Sequence, residues 1–141
     1  MATALLVVDI QRAPADFLDP ARRVGFLDTV SALLERARRA NVPVVYVRHN
    51  DDELQLGTKE WEIAEEIAPR PGEPIVDKRY RDAFREAERR GYRVTLVEDG
   101  HATYAVDGAT EEQIRAQIHR VARGRVAAIV PAAELFDPAV R

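Results

Sequence analysis

The chain has 141 residues, 46% hydrophobic and 32% charged, with 24 acidic against 21 Lys and Arg side chains and a formal net charge of -3. That length is one ordinary domain, residues 1–141, able to bury a core without staples, and the near-balanced charge leaves no electrostatic footprint for nucleic acid or an anionic membrane surface. Cysteine is absent altogether, which excludes disulfides, thiolate metal sites and a thiol nucleophile.

In chain order, Ala4-Leu5-Leu6-Val7-Val8 is a continuous apolar run ending at Asp9, as expected of a parallel strand buried on both faces. Residues 1–8 have no basic leader and are far too short to span a membrane, so a cytoplasmic location is expected by elimination. Phe26, Leu27, Val30, Leu33, Leu34 and Ala37 recur at helical spacing, with Glu35, Arg36, Arg38 and Arg39 on the opposite face, and Asn41 closes that helix. Residues 42–47 read as a second strand and residues 49–57 as a polar loop. Thr58 then caps a short helix carrying Trp61, Ala64 and Ile67 that stops before Pro69. Pro71-Gly72-Glu73-Pro74 is a turn, and Ile75-Val76 opens a third strand leading to Lys78. Residues 82–90 are helical, with Gly91 as the stop, and residues 92–97 form a fourth strand. Thr110-Glu111-Glu112-Gln113 has the pattern of a capping box; it opens a helix with Ile114, Ile118 and Val121 inward, stopped by Gly124. Residues 126–130 are the last strand.

Five short strands alternating with helices predict an open, mostly parallel α/β sheet. Sites in such sheets lie beyond the carboxyl ends of the strands, which leaves Asp9 and Gln11, Arg48 and His49, Asp77 and Lys78, and Glu98, Asp99 and His101 as the residues available for chemistry. Asp9 by itself is either a loop anchor or a functional carboxylate. An aspartate-nucleophile phosphotransferase would want a second Asp at position 11, which is Gln; a phospho-receiver would want its lysine at the last strand; and no glycine-rich phosphate loop is present. His49 stands among Asn50, Asp51, Asp52 and Glu53, but His101 and His119 are far along the chain, so no metal is expected. Trp61 is either a core anchor or a pocket wall.

Together these segments resemble the isochorismatase-like cysteine hydrolases. Leu5-Leu6-Val7-Val8-Asp9-Ile10-Gln11 with Asp16-Phe17 resembles that family's first strand and loop, and Val44-Val45-Tyr46-Val47-Arg48-His49 its second strand. Leu56-Gly57-Thr58, Trp61-Glu62-Ile63 and Ile67-Ala68-Pro69 match the next loop and helix, and residues 73–78 with Ala83-Phe84 the strand bearing the family lysine. Arg90-Gly91-Tyr92-Arg93-Val94, Glu98-Asp99-Gly100-His101 and Thr103 match the late strand and loop. The resemblance is collinear and covers nearly the whole chain.

The resemblance implies a Rossmann-like three-layer α/β/α fold and hydrolysis of small molecules, such as isochorismate or amides, by an Asp, Lys and Cys triad. Asp9 would take the thiol proton, Lys78 would stabilise the thiolate and orient Asp9, and Phe17, His49 and Trp61 would border the substrate pocket. No metal or other cofactor is carried over, because the Asp-x-His element of the nicotinamidase relatives is absent. Where the family has a helix, a central strand and the turn bearing the cysteine, this chain runs from Ala83-Phe84 directly into Arg85-Glu86-Ala87-Glu88-Arg89-Arg90-Gly91-Tyr92. About one strand-helix repeat, on the order of 30 residues, is missing, and the oxyanion donors around the cysteine go with it. The family strand order 3-2-1-4-5-6 therefore becomes, in expectation, 3-2-1-5-6. The functional expectation is a family member without thiol-based hydrolysis; the alternative is a non-enzymatic small-molecule-binding or oligomerisation module. A small-molecule ligand and a homo-oligomer are the expected partners, with neither nucleic acid nor membrane.

Overall fold

The structure, a computed structural model, describes residues 3–79 and 91–136. The predicted helix over residues 82–90, and with it the joint preceding Gly91, lies outside the described residues. Strands β1 (Leu5–Val8), β2 (Val44–His49) and β3 (Ile75–Lys78) form one parallel sheet with β2 in the middle. The register sets Leu5 beside Val44 and Val7 beside Tyr46. The two-residue period of a strand therefore places these four on one face, where all are buried.

That face is covered by α2 (Pro20–Arg39), whose Leu27, Val30, Leu33, Leu34 and Ala37 form the buried stripe foreseen from their spacing. The helix begins one and a half turns earlier than its apolar period shows, because Asp19 caps Ala21 N–H and Arg22 N–H ahead of Pro20 in the first turn. A short α1 (Arg12–Asp16), too brief to carry a period, precedes it. At the other end Asn41 takes a left-handed φ of 55°. Asn41 N–H and Val42 N–H then bond the carbonyls of Arg38 and Ala37, satisfying two carbonyls that a helix end otherwise leaves open. The opposite face of the sheet is less covered: Leu6 and Val76 are 52% and 50% exposed.

The segment from Thr58 to Ala64 is not the expected helix; only Glu65–Ile67 forms a single 3-10 turn. Its backbone bonds run sideways instead. Arg12 N–H reaches Glu62 O, Ala13 N–H reaches Glu60 O and Ala64 N–H reaches Ile10 O, so the stretch is stitched to the chain leaving β1 rather than to its own next turn. Burial of Trp61, Ile63 and Ala64 in that position outweighs the local helical preference.

The last two strands, β4 (Thr95–Val97) and β5 (Ala128–Val130), pair in parallel, as expected for neighbours in the order 5-6. Between them runs α3 (Glu111–Ala122), opened by the predicted capping box of Thr110 and Gln113. Its apolar stripe is only half covered, with Val121 49% exposed. The continuous order 3-2-1-5-6 is not formed: β4 and β5 make a separate two-stranded sheet, and among the described residues no strand pairs with the outer edge of β1. The two halves meet through side chains. Val97 packs on the main core, Arg36 of α2 donates to the carbonyls of Ala132 and Leu135 beyond β5, and Phe17 meets Tyr104. The second sheet is anchored on α2 in this way, and the loops after β1 and β4 wall a cleft of about 200 Å³.

Candidate active site

The carboxyl ends of β1 and β3 bring the two principal residues together. Asp9 follows β1 with a left-handed φ of 57°, a conformation that the short polar side chains of Asp and Asn accept more readily than others. Its N–H still bonds Val47 O, so the backbone turns only after the last ladder bond. Lys78 ends β3 opposite His49 and reaches past β2 to place Nζ 2.7 Å from Asp9 Oδ2. The lysine side chain is 14% exposed and the aspartate 34%, a part-buried ion pair. Asp9 Oδ1 is buried and accepts no hydrogen bond among the described residues.

Two residues after Asp9 stands Gln11, the one buried polar residue of the described core. Its amide nitrogen donates to His49 O at 3.0 Å and Trp61 O at 2.7 Å, and its oxygen accepts His49 N–H at 2.8 Å. One side chain thus ties the end of β2 and the Trp61 segment to β1. Gln11 was legible only as a polar residue where an acid might stand; its partners are 38 and 50 positions away.

Of the three residues expected to border a pocket, Trp61 is buried beneath the Arg48 guanidinium, which stands 3.5 Å from the ring centroid and bonds Asp77 at 2.8 Å. His49 pairs through Nε2 with Asp51 Oδ2 at 3.0 Å; the Leu54 N–H first, and His49 second, hold the Asp51 carboxyl below its usual range. Phe17 ends α1, 65% exposed, with its ring 5.3 Å from that of Tyr104. None of the three lines the cleft, although Phe17 borders it through Tyr104. The wall is made by Asp9, Leu18, Phe26, His101, Thr103 and Tyr104 among others. Tyr104 carried no sequence signal, since it belongs to a loop without periodicity.

His101 Nε2 lies 2.7 Å from His119 Nε2 of α3, with the rings nearly perpendicular. Burial, then His119 and Arg115, push the His101 imidazole below its ordinary value. The folded state therefore prefers the neutral ring. Its contribution is fully present above an unfolded pKa of about 6.5 and is lost as pH falls through the lower folded value. We expect thermal stability to decline between pH 7 and 5.5, and the decline to flatten in His101→Asn; an equal slope in both proteins would exclude His101 as its cause.

Among the described residues no group of three or more His, Asp or Glu converges as for a metal ion, and no helix is long and apolar enough to cross a membrane. Chemically, the site offers a carboxylate proton acceptor, an ammonium beside it and a cleft with apolar and aromatic walls. It has no thiol.

The family profile described as Isochorismatase domain matches residues 3–88, ending beside the joint that the sequence places before Gly91. A secreted isochorismatase effector of Verticillium dahliae is 38% identical over 90 residues, 58% of this chain and 46% of that protein. Streptothricin hydrolase of Streptomyces noursei is 30% identical over 146 aligned positions, 77% of this chain and 52% of that protein. The chain thus spans about half the length of these curated relatives. A cysteine hydrolase from Pseudomonas syringae pv. phaseolicola superposes with a TM-score of 0.80 at 18% identity, covering 95% of this chain and 90% of that one, a likeness of fold.

Proposed function

Because this chain belongs to the isochorismatase family, we propose that it is a hydrolase-family domain that retains the acid–base pair and a small-molecule cleft but has no thiol chemistry. The observation that carries this reading is the 2.7 Å contact of Lys78 with Asp9 in a chain without cysteine. In the thiol mechanism a carboxylate takes the proton and a cation holds the thiolate. Asp9 and Lys78 are arranged for both tasks, and Asp9 Oδ1, buried and without a hydrogen-bond partner among the described residues, is available to a proton donor from a ligand. A ligand with an N–H or O–H group fits that oxygen, and Phe26 and Tyr104 offer it apolar contact.

The purified protein, assayed against isochorismate and a panel of simple amides, should show saturable binding without turnover above the buffer rate. Hydrolysis that disappears in Lys78→Ala would overturn the reading. A homo-oligomer belongs to the same proposal, supported by the exposed apolar face carrying Leu6 and Val76. So does a cytoplasmic location, supported by a composition that makes no use of disulfides.

A further inference from the structure

We propose that His101 and His119 form a two-nitrogen site for a divalent transition metal ion of the zinc type. The residues are 18 positions apart, and neither has a neighbouring histidine or cysteine to suggest ligation. The fold brings them together because α3 runs back past the loop that follows β4. Their Nε2 atoms are 2.7 Å apart, with ring centroids 4.9 Å apart and planes at 78°.

Two neutral imidazoles can share that contact only if one Nε2 carries a proton and donates it to the other, which fixes one ring in one tautomer. A metal ion uses both lone pairs at once and leaves each Nδ1–H free to donate. Tetrahedral coordination at about 2.0–2.1 Å sets two nitrogen ligands roughly 3.3 Å apart, so the pair needs to open by roughly 0.6 Å. His119 is only half buried on a helix with no fully buried residue, and that side of the site can yield.

Glu98 and Asp99 bring negative potential to the His101 ring, and Arg115 opposes them. Asp99 is itself held by Ala132 N–H, 2.6 Å from its Oδ1. Since no third protein ligand converges among the described residues, the remaining positions belong to water or to a molecule in the cleft that His101 lines.

Titration of the full chain with Zn2+ at pH 7.5, followed by calorimetry, should give one saturable equivalent. His101→Ala and His119→Ala should each weaken it by roughly tenfold or more, a loss at least as large as that from removing a supporting residue. His49→Ala, the only other histidine replaced, should leave binding unchanged. Imidazole nitrogen NMR of the unmutated protein offers a readout independent of variant folding: the His101 and His119 rings should shift together on adding Zn2+. Absence of saturable binding, binding indifferent to His119→Ala, or a shift of the His49 ring alone would overturn the proposal and leave the pair as a shared proton only.

Discussion

Gln11→Leu should lower the free energy of unfolding by about 3–5 kcal/mol, the sum expected when several buried hydrogen-bonding groups lose their partners at about 1–3 kcal/mol each. Leucine fills the site without a polar atom, so the loss comes chiefly from the hydrogen bonds, with a smaller share from repacking. His49 N–H, His49 O and Trp61 O would all lose a partner, and the side chain that supplies them has no exposed surface. The figure stays below three full penalties because His49 is only part-buried and water can reach it. Denaturant unfolding with a fixed m-value checks the magnitude. A loss under about 1 kcal/mol would mean that water replaces the amide without cost. The same substitution should loosen the Trp61 segment, which is also tied to the chain after β1 by backbone bonds at Ile10, Arg12 and Ala13, and Trp61 fluorescence should report that loosening before global unfolding.

Lys78→Met should cost about 1–3 kcal/mol, less than the 3–5 typical of breaking a fully buried pair, because Asp9 keeps partial access to water. Methionine retains most of the apolar stem and removes the charge. Asp9 then stands as a part-buried carboxylate without its 2.7 Å ammonium. Adding Asp9→Asn should recover much of the loss, since asparagine also accepts the φ of 57° and carries no charge to strand. A double-mutant cycle with a coupling of about 0.5–3 kcal/mol would establish the pair as an energetic unit. Strict additivity would show instead that Lys78 acts independently of Asp9.

The legible and illegible parts of this fold divide along physical lines. The apolar run before Asp9, the helical stripe from Leu27 to Ala37, the Asn41 stop and the Thr110–Gln113 capping box all depend on neighbours within a turn or two. Their signals are therefore local. The Trp61 segment failed as a helix because its backbone groups found partners on the chain between β1 and α1 and at the start of α1, a competition invisible in a window around Thr58. The expected closure of the sheet failed for a similar reason. Arg36 and the core around Val97 fix where β4 and β5 sit, and that place is off the edge of β1.

The absence of a thiol, the α/β fold class, and the placing of Asp9 and Lys78 at strand ends where a parallel sheet gathers its chemistry are all readable from residue order alone. Tertiary packing was needed to bring the two to 2.7 Å across β2, to make Gln11 a buried tie between the end of β2 and the Trp61 segment, and to bring His101 and His119 together. It also decided that the five strands form two sheets with a cleft between their loops. Composition and periodicity record what each segment can bury, whereas contacts between residues tens of positions apart depend on how the packed elements are placed against one another.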